Sequence, residues 1–204
     1  MAKLVLLIFA AVVYTCAAKN VGTHPIIPFK KGQCLPASNM MKNFEPERFF
    51  TGTWYERSSY ENDLTQADGK CSTMTAKITD GKVQMQFTHY DGFPFSRYTF
   101  VRGEASLEDT RSASFRLDMA FFPDLVEKYP IGILDTDYEN YAVVYSCRKV
   151  EANLSDEMVW TFTRSRSDTS NDGLIDRAVK LAGFKPEAFT HYGPMNCPAD
   201  EPTL

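Results

Sequence analysis

Several familiar signs of function are scarce in this sequence. There are three histidines, His24, His89 and His191, spread too widely to show a Ser-His-Asp or metal-ligand pattern. No two cysteines form a C-x-x-C pair, so the close thiolates of a zinc site are missing. No basic run is longer than Lys30-Lys31, and the formal net charge is −4. That balance argues against a nucleic-acid or anionic-membrane surface. Beyond the first eighteen residues no apolar run is long enough to span a bilayer. Internal repeats and low-complexity tracts are lacking too. Metal chemistry, triad hydrolysis and nucleic-acid binding lose their usual support, and no metal site is expected.

Aromatic residues, in contrast, are plentiful: 15 Phe, 10 Tyr and 2 Trp. That exceeds what the core of one ordinary domain needs, and the surplus suggests a lined cavity. Lys3 is followed by the apolar run LVLLIFAAVVY and then by Thr15, Cys16, Ala17 and Ala18. This pattern predicts a secretory signal peptide over residues 1–18, cleaved after Ala18, with a single domain over 19–204. Cys16 would leave with the signal. Cys34, Cys71, Cys147 and Cys197 would then form two disulfides in an oxidising compartment, with three pairings open. Asn153-Leu154-Ser155 is a glycosylation sequon, which fits a surface loop of a secreted protein.

Residues 19–43 read as an ordered arm, and 43–50 as one helical turn with Asn43 as its cap. Eight strand-like segments follow at 53–60, 71–79, 82–90, 97–107, 112–122, 130–136, 141–147 and 158–164. Most show period-two alternation, strongest where Phe115, Leu117, Met119 and Phe121 oppose Ser114, Arg116 and Asp118. Asp80-Gly81 and Asp91-Gly92 are hairpin signals. Short, evenly spaced strands of this kind predict an antiparallel sandwich or barrel. The period then changes: Leu174, Ile175, Ala178, Val179 and Ala182 recur at helical spacing over 171–183, with Asn171 or Ser170 as cap and Gly183 as stop. The last segment, to Cys197, reads as loop.

Three motifs narrow the choice. Gly52-Thr53-Trp54 resembles the G-x-W signature of lipocalins, Thr136-Asp137-Tyr138 their T-D-Y motif, and Arg164, four residues after Trp160, their lone arginine. The block ILDTDYENYAVVYSC, residues 133–147, together with Gly69-Lys70-Cys71, Gly103-Glu104-Ala105 and Asn196-Cys197-Pro198, is most similar to the apolipoprotein D, insecticyanin and bilin-binding group. The resemblance runs from about Cys34 to Pro198. It implies an all-β, eight-stranded antiparallel up-and-down barrel with one C-terminal helix. It implies the pairings Cys34–Cys147 and Cys71–Cys197. It also implies that Gly52 lets the strand bend into the closed end, that Trp54 plugs the floor, and that Arg164 lies across the indole.

A barrel of eight strands can be packed solid or can hold one small ligand. Strand parity from Trp54 predicts that Glu56, Ser58 and Tyr60 face inward as polar handles. The apolar faces of the middle strands add Met74, Met85, Phe87, Tyr98, Phe100, Phe115, Leu117, Met119 and Phe121 to the expected lining. The resemblance also marks a departure: Gly132 stands where that group has a tryptophan, which implies a wider cavity on that side. PDLVEKYP, 123–130, reads as a solvated loop or a lip holding Leu125, Val126 and Tyr129. The function expected is a secreted carrier of a small hydrophobic ligand: a retinoid, steroid, fatty acid, or biliverdin or another tetrapyrrole, the bilin resting on the family alone. The alternative is an interaction or inhibitor protein acting through its mouth loops. An enzyme is not expected, because every mature cysteine would be bonded.

Overall fold

The computed structural model describes residues 30–60, 70–92, 94–122, 124–192 and 196–204. The expected leader lies outside them. In chain order the elements are β1 (Lys30–Lys31), α1 (Pro46–Phe49), β2 (Gly52–Tyr60), β3 (Lys70–Thr79), β4 (Lys82–Asp91), β5 (Arg97–Ser106), α2 (Leu107–Thr110), β6 (Ser114–Phe122), β7 (Leu125–Thr136), β8 (Tyr141–Glu151), β9 (Leu154–Thr163), α3 (Asp172–Leu181) and β10 (Phe189–His191). From β2 to β9 each strand pairs antiparallel with the next, and β9 returns to β2. The sheet therefore closes as the eight-stranded up-and-down barrel, with β1 on β9 and β10 on β2 as short additions. Closure removes the free edges that a flat antiparallel sheet would expose.

Local chemistry explains the boundaries. Asp80 and Gly81 both take positive φ, 52° and 73°, as a two-residue hairpin between β3 and β4 requires. Gly183, at φ +92°, follows the end of α3. Ile175, Ala178 and Val179 are the buried stripe of that helix, which packs on β8. Asn171 sits at its cap position but makes no side-chain capping bond. The helix start is held instead by Arg57 of β2, whose Nε and Nη2 donate to the two carboxylate oxygens of Asp172 at 3.0 and 2.6 Å.

Some expectations shift. The turn α1 begins at Pro46 after Glu45, and Asn43 is in the left-handed region rather than capping. Leu107 opens α2, capped by the Ser106 side chain, rather than ending a strand. The segment 189–191, expected as loop, pairs with Ser58–Tyr60. Of the expected loop or lip, Leu125 to Pro130 is strand: Phe122 pairs with Leu125, and Pro130 lies opposite Arg116. Proline is tolerated there because pairing of β7 with β8 begins only at Gly132, so the missing N–H removes no bond to that neighbour.

Both disulfides are those the resemblance implied, Cys34–Cys147 and Cys71–Cys197, with Cα separations of 5.6 and 5.8 Å. They close 113 and 126 residues of chain, for which loop-closure entropy gives about 4–5 kcal/mol apiece. The first pins the arm to β8. The second pins the tail, which crosses the outside of β3 and β4. There Thr73 Oγ1 donates to Glu201 Oε1 at 2.5 Å, and Gln86 Nε2 to the Pro202 carbonyl at 2.9 Å.

Candidate ligand-binding site

The base of the barrel is built by the three motifs. Gly52 takes φ +66°, a conformation that side chains disfavour. A Cβ there would meet nothing closer than Arg164 Nη1 at 3.8 Å, so backbone angle, not crowding, calls for glycine. Trp54 is fully buried, and its Nε1 donates to the Phe49 carbonyl at 3.0 Å. The Arg164 guanidinium lies 3.5 Å from the indole centroid, a desolvated cation–π contact worth about 2 kcal/mol. Its Nη1 donates to the carbonyls of Thr51 and Thr53 at 2.6 and 3.1 Å, and its Nε to that of Tyr138 at 3.2 Å. Burial pushes Arg164 down to about 10, so it remains charged at neutral pH.

Thr136 Oγ1 accepts from the Tyr138 N–H at 2.9 Å and donates to the Tyr141 carbonyl at 2.6 Å. Burial works against the charge of Asp137, but the Asn140 amide and the backbone N–H groups of Tyr141, Asn140 and Glu139 outweigh it. Its carboxyl therefore lies below the usual range. Tyr138, at φ 70°, accepts from the Glu45 N–H at its hydroxyl. None of Gly52, Trp54, Thr136, Asp137, Tyr138 or Arg164 lines the cavity above. The cavity floor is Phe49, at the end of α1, and Phe50 after it; the Phe49 ring lies 5.3 Å from the indole, tilted by 33°.

That cavity measures about 280 Å³. Of the expected lining, Glu56, Met74, Met85, Phe87, Phe115, Met119 and Phe121 border it. The other five do not. A register shift between Glu56 and Ser58 reverses the parity of β2. Ser58 then bonds Thr161 Oγ1 at 2.7 Å, and Tyr60 packs its ring against Phe184 and Phe189 beneath the C-terminal segment. On β5 the larger residues face out and the smaller ones in: Val101 opposes Phe87, and Gly103 opposes Met85. Tyr98 donates its hydroxyl to the Pro198 carbonyl at 2.9 Å, and Phe100 is 47% exposed beside Arg102.

The reason lies on the neighbouring strand. A Cβ on Gly103 would stand 2.7 Å from the Leu117 side chain and 2.8 Å from Met119 Sδ. Leu117 faces inward but fills the space that Gly103 leaves, and so it is core rather than lining. Gly132 is also corrected. It faces outward between Ile131 and Ile133, which border the cavity, and a Cβ there would run into Met40 of the arm. The glycine admits the arm; it does not widen the pocket.

The remaining wall comes from strands whose faces were not assigned from sequence: Tyr129, Ile131 and Ile133 on β7, Val144 and Arg148 on β8, and Asp156, Met158, Trp160 and Phe162 on β9. The alternation of Met158, Trp160 and Phe162 was a readable signal for the last of these. Asp156 Oδ2 accepts from Arg148 Nη2 and Nε at 2.7 and 3.2 Å. Burial opposes the charge of Arg148, but its bond to Asp156 and the nearby negative groups raise its pKa above the ordinary value. His89 places Nε2 at 2.9 Å from Thr99 Oγ1 and 3.2 Å from Asp91 Oδ1. Among the described residues no three His, Cys, Asp or Glu side chains gather as a metal site.

A closed barrel with a sealed floor, these three motifs and an apolar interior defines a lipocalin-type protein. Residues 34–204 match the sequence model of the nitrophorin family, and the chain belongs to that family. It is 29% identical to apolipoprotein D of Mus musculus over 171 residues, 83% of this chain and 87% of the relative. It is 22% identical to nitrophorin-3 of Rhodnius prolixus over 200 residues, 94% of each. The solved tryptamine complex of the amine binding protein of Rhodnius prolixus superposes with a TM-score of 0.65 at 18% identity, covering 79% of this chain and 86% of that one.

Proposed function

We propose that this protein is a secreted, non-enzymatic carrier that holds one small, largely apolar ligand inside the barrel. The observation that carries this reading is the cavity itself, floored by Phe49 and Phe50 and walled by Met74, Met85, Phe87, Met119 and Phe121. Its volume, about 280 Å³, stands at the lower end of the roughly 300–1,000 Å³ usual for small-molecule sites. Ligands of one or two rings, or a short chain, match it better than a tetrapyrrole such as biliverdin. Secretion is supported by the leader pattern and by the two disulfides. Asn153, the sequon asparagine, is exposed in the turn between β8 and β9, which supports its reading as a glycosylation site. With both cysteine pairs bonded, the described residues offer no thiolate for covalent catalysis. Native mass spectrometry of protein from its source, with uptake measured on a broad panel of apolar ligands, tests the carrier reading. Protein that arrives empty and takes up nothing at micromolar concentration sinks it.

A second reading rests on the open end. Phe95, Phe122, Leu125 and Val126 are exposed around the mouth, at 65, 69, 43 and 57%. Such a rim suits contact with a protein partner. Pull-down by the intact protein, lost when 92–96 and 122–126 are exchanged for polar loops, would favour it.

A further inference from the structure

We infer that the ligand enters and leaves the cavity sideways, through a seam in the barrel wall between β5 and β6 that the side chains of Phe100 and Phe122 close. This rests on the carrier reading and adds the route to it. The β5–β6 ladder runs only from Glu104 opposite Asp118 to Arg102 opposite Ala120. The ladders on either side continue to the rim, to Asp91 opposite Arg97 and to Phe122 opposite Leu125. Above Arg102 the wall is therefore two hairpins side by side, not one sheet. The register of β6 against β7 also shifts between Ala120 and Phe122, and such a bulge bends the strand that carries it. The rungs below are locked, because Leu117 and Met119 of β6 pack into the space that Gly103 of β5 leaves.

Two other ladders stop short of the rim, and both gaps are covered. β2 pairs with β3 only as far as Tyr55, but β10 pairs with Ser58–Tyr60 beyond it. β7 meets β8 only from Gly132, but Arg148 of β8 reaches across to Glu127 at 3.8 Å and over the Tyr129 ring at 4.8 Å. Among the described residues no side-chain hydrogen bond, ion pair or ring contact joins β5 to β6 in this way. The polar side chains of β5 turn to β4 instead, Thr99 to His89 and Arg102 to Gln86. Extending the β5–β6 register toward the rim sets Val101 against Phe121 and Phe100 against Phe122. Val101 and Phe121 border the cavity, and Phe100 and Phe122 are exposed. The seam is thus apolar from solvent to interior, and an apolar ligand passing through it displaces no strongly hydrated group. Parting it costs only local contacts, because the paired rungs below stay closed.

The test uses the full mature chain and Prodan, a neutral two-ring fluorophore, with association and dissociation followed by stopped flow. A Phe100→Cys/Phe122→Cys variant, bridged by a short bismaleimide with both native disulfides intact, bars the seam. Both rate constants should fall by at least about tenfold while Kd stays within about threefold, because a barred route slows entry and exit alike. The same bridge in Asp91→Cys/Arg97→Cys joins strands already paired at the rim and should leave the rates unchanged. Phe100→Ala/Phe122→Ala removes the closing rings without a cross-link, and both rate constants should rise by at least about threefold at constant Kd. Unchanged rates in the bridged variant or in the alanine variant, or equal slowing by the control bridge, overturn the inference and return entry to the open top of the barrel. If neither Prodan nor retinoids, steroids and fatty acids bind, the carrier reading itself fails and takes this inference with it.

Discussion

The two ends of this barrel are made in opposite ways. At the base, polar groups are spent on one another. Arg164 donates to the backbone carbonyls of Thr51, Thr53 and Tyr138, Asp137 collects three backbone N–H groups, and Trp54 is bonded through its only side-chain donor. At the mouth, large apolar side chains stand in solvent, and Asp156, which borders the cavity below, leaves its Oδ1 without a hydrogen-bond partner. Satisfied, dry networks hold a fold, and unsatisfied or exposed groups await something else. The motifs therefore identify the scaffold, and the residues outside the motifs decide what it holds.

The base is broken most severely by Trp54→Ala. It removes a fully buried indole and strips Arg164 of its ring partner, so stability should fall by about 3–5 kcal/mol. Denaturant unfolding with the disulfides intact measures this, and a loss below about 1 kcal/mol would mean that the base does not hold the barrel. Next comes Gly103→Val, in the wall between the two ends. The new side chain meets Leu117 and Met119, and overpacking of this kind costs about 1–3 kcal/mol. Met119, which the new side chain also meets, borders the cavity, so uptake of a fluorescent apolar probe should fall as well. Gly132→Ala should cost less, because the group it meets is the flexible end of Met40 on the outer arm. Equal costs at the two glycines would contradict their assignment to opposite faces.

The base was also the more legible end. Gly52, Trp54, Thr136, Asp137, Tyr138 and Arg164 carry conformational or bonding demands that few other residues meet, and these demands show in the sequence. The strands were legible through period two, but their faces only where the alternation was of size as well as polarity. On β6, Phe115, Met119 and Phe121 could be placed correctly. On β5 the rule that large apolar residues point inward failed, because Leu117 from β6 already fills the interior opposite Gly103. On β2 the shift after Glu56 reversed the parity of Ser58 and Tyr60, and no residue there announces a bulge. Asp156 and Arg148 were missed because charged residues at a strand end read as surface; only the closed register shows them sharing the interior.

A smaller effect, confined to the base, is expected from Asp137→Asn. Hydrogen bonds outweigh burial and hold the folded carboxyl below 3.8. Its contribution is then fully present above that value and is lost as pH falls through the folded pKa. The variant should be less stable by about 1 kcal/mol at neutral pH, and the difference should shrink on acidification into that window. Unfolding curves at a series of acidic pH values check the sign. A difference that grows on acidification would reverse the assignment.

The mildest substitution tests the mouth directly, through two adjacent phenylalanines. Phe121 borders the cavity, 5.7 Å from the Tyr129 ring, whereas Phe122 is 69% exposed at the rim. Phe122→Ser removes little buried area, so stability should change by no more than about 0.5 kcal/mol. Apolar probe affinity should hold within about twofold. Phe121→Ser replaces a ring that borders the cavity with a hydroxyl, and affinity for an apolar probe should fall by about tenfold. Paired titrations of the two variants with one apolar probe distinguish the faces of a single strand. If Phe122→Ser weakens uptake as much as Phe121→Ser, the rim takes part in holding the probe, and the separation of the cavity wall from the exposed rim fails.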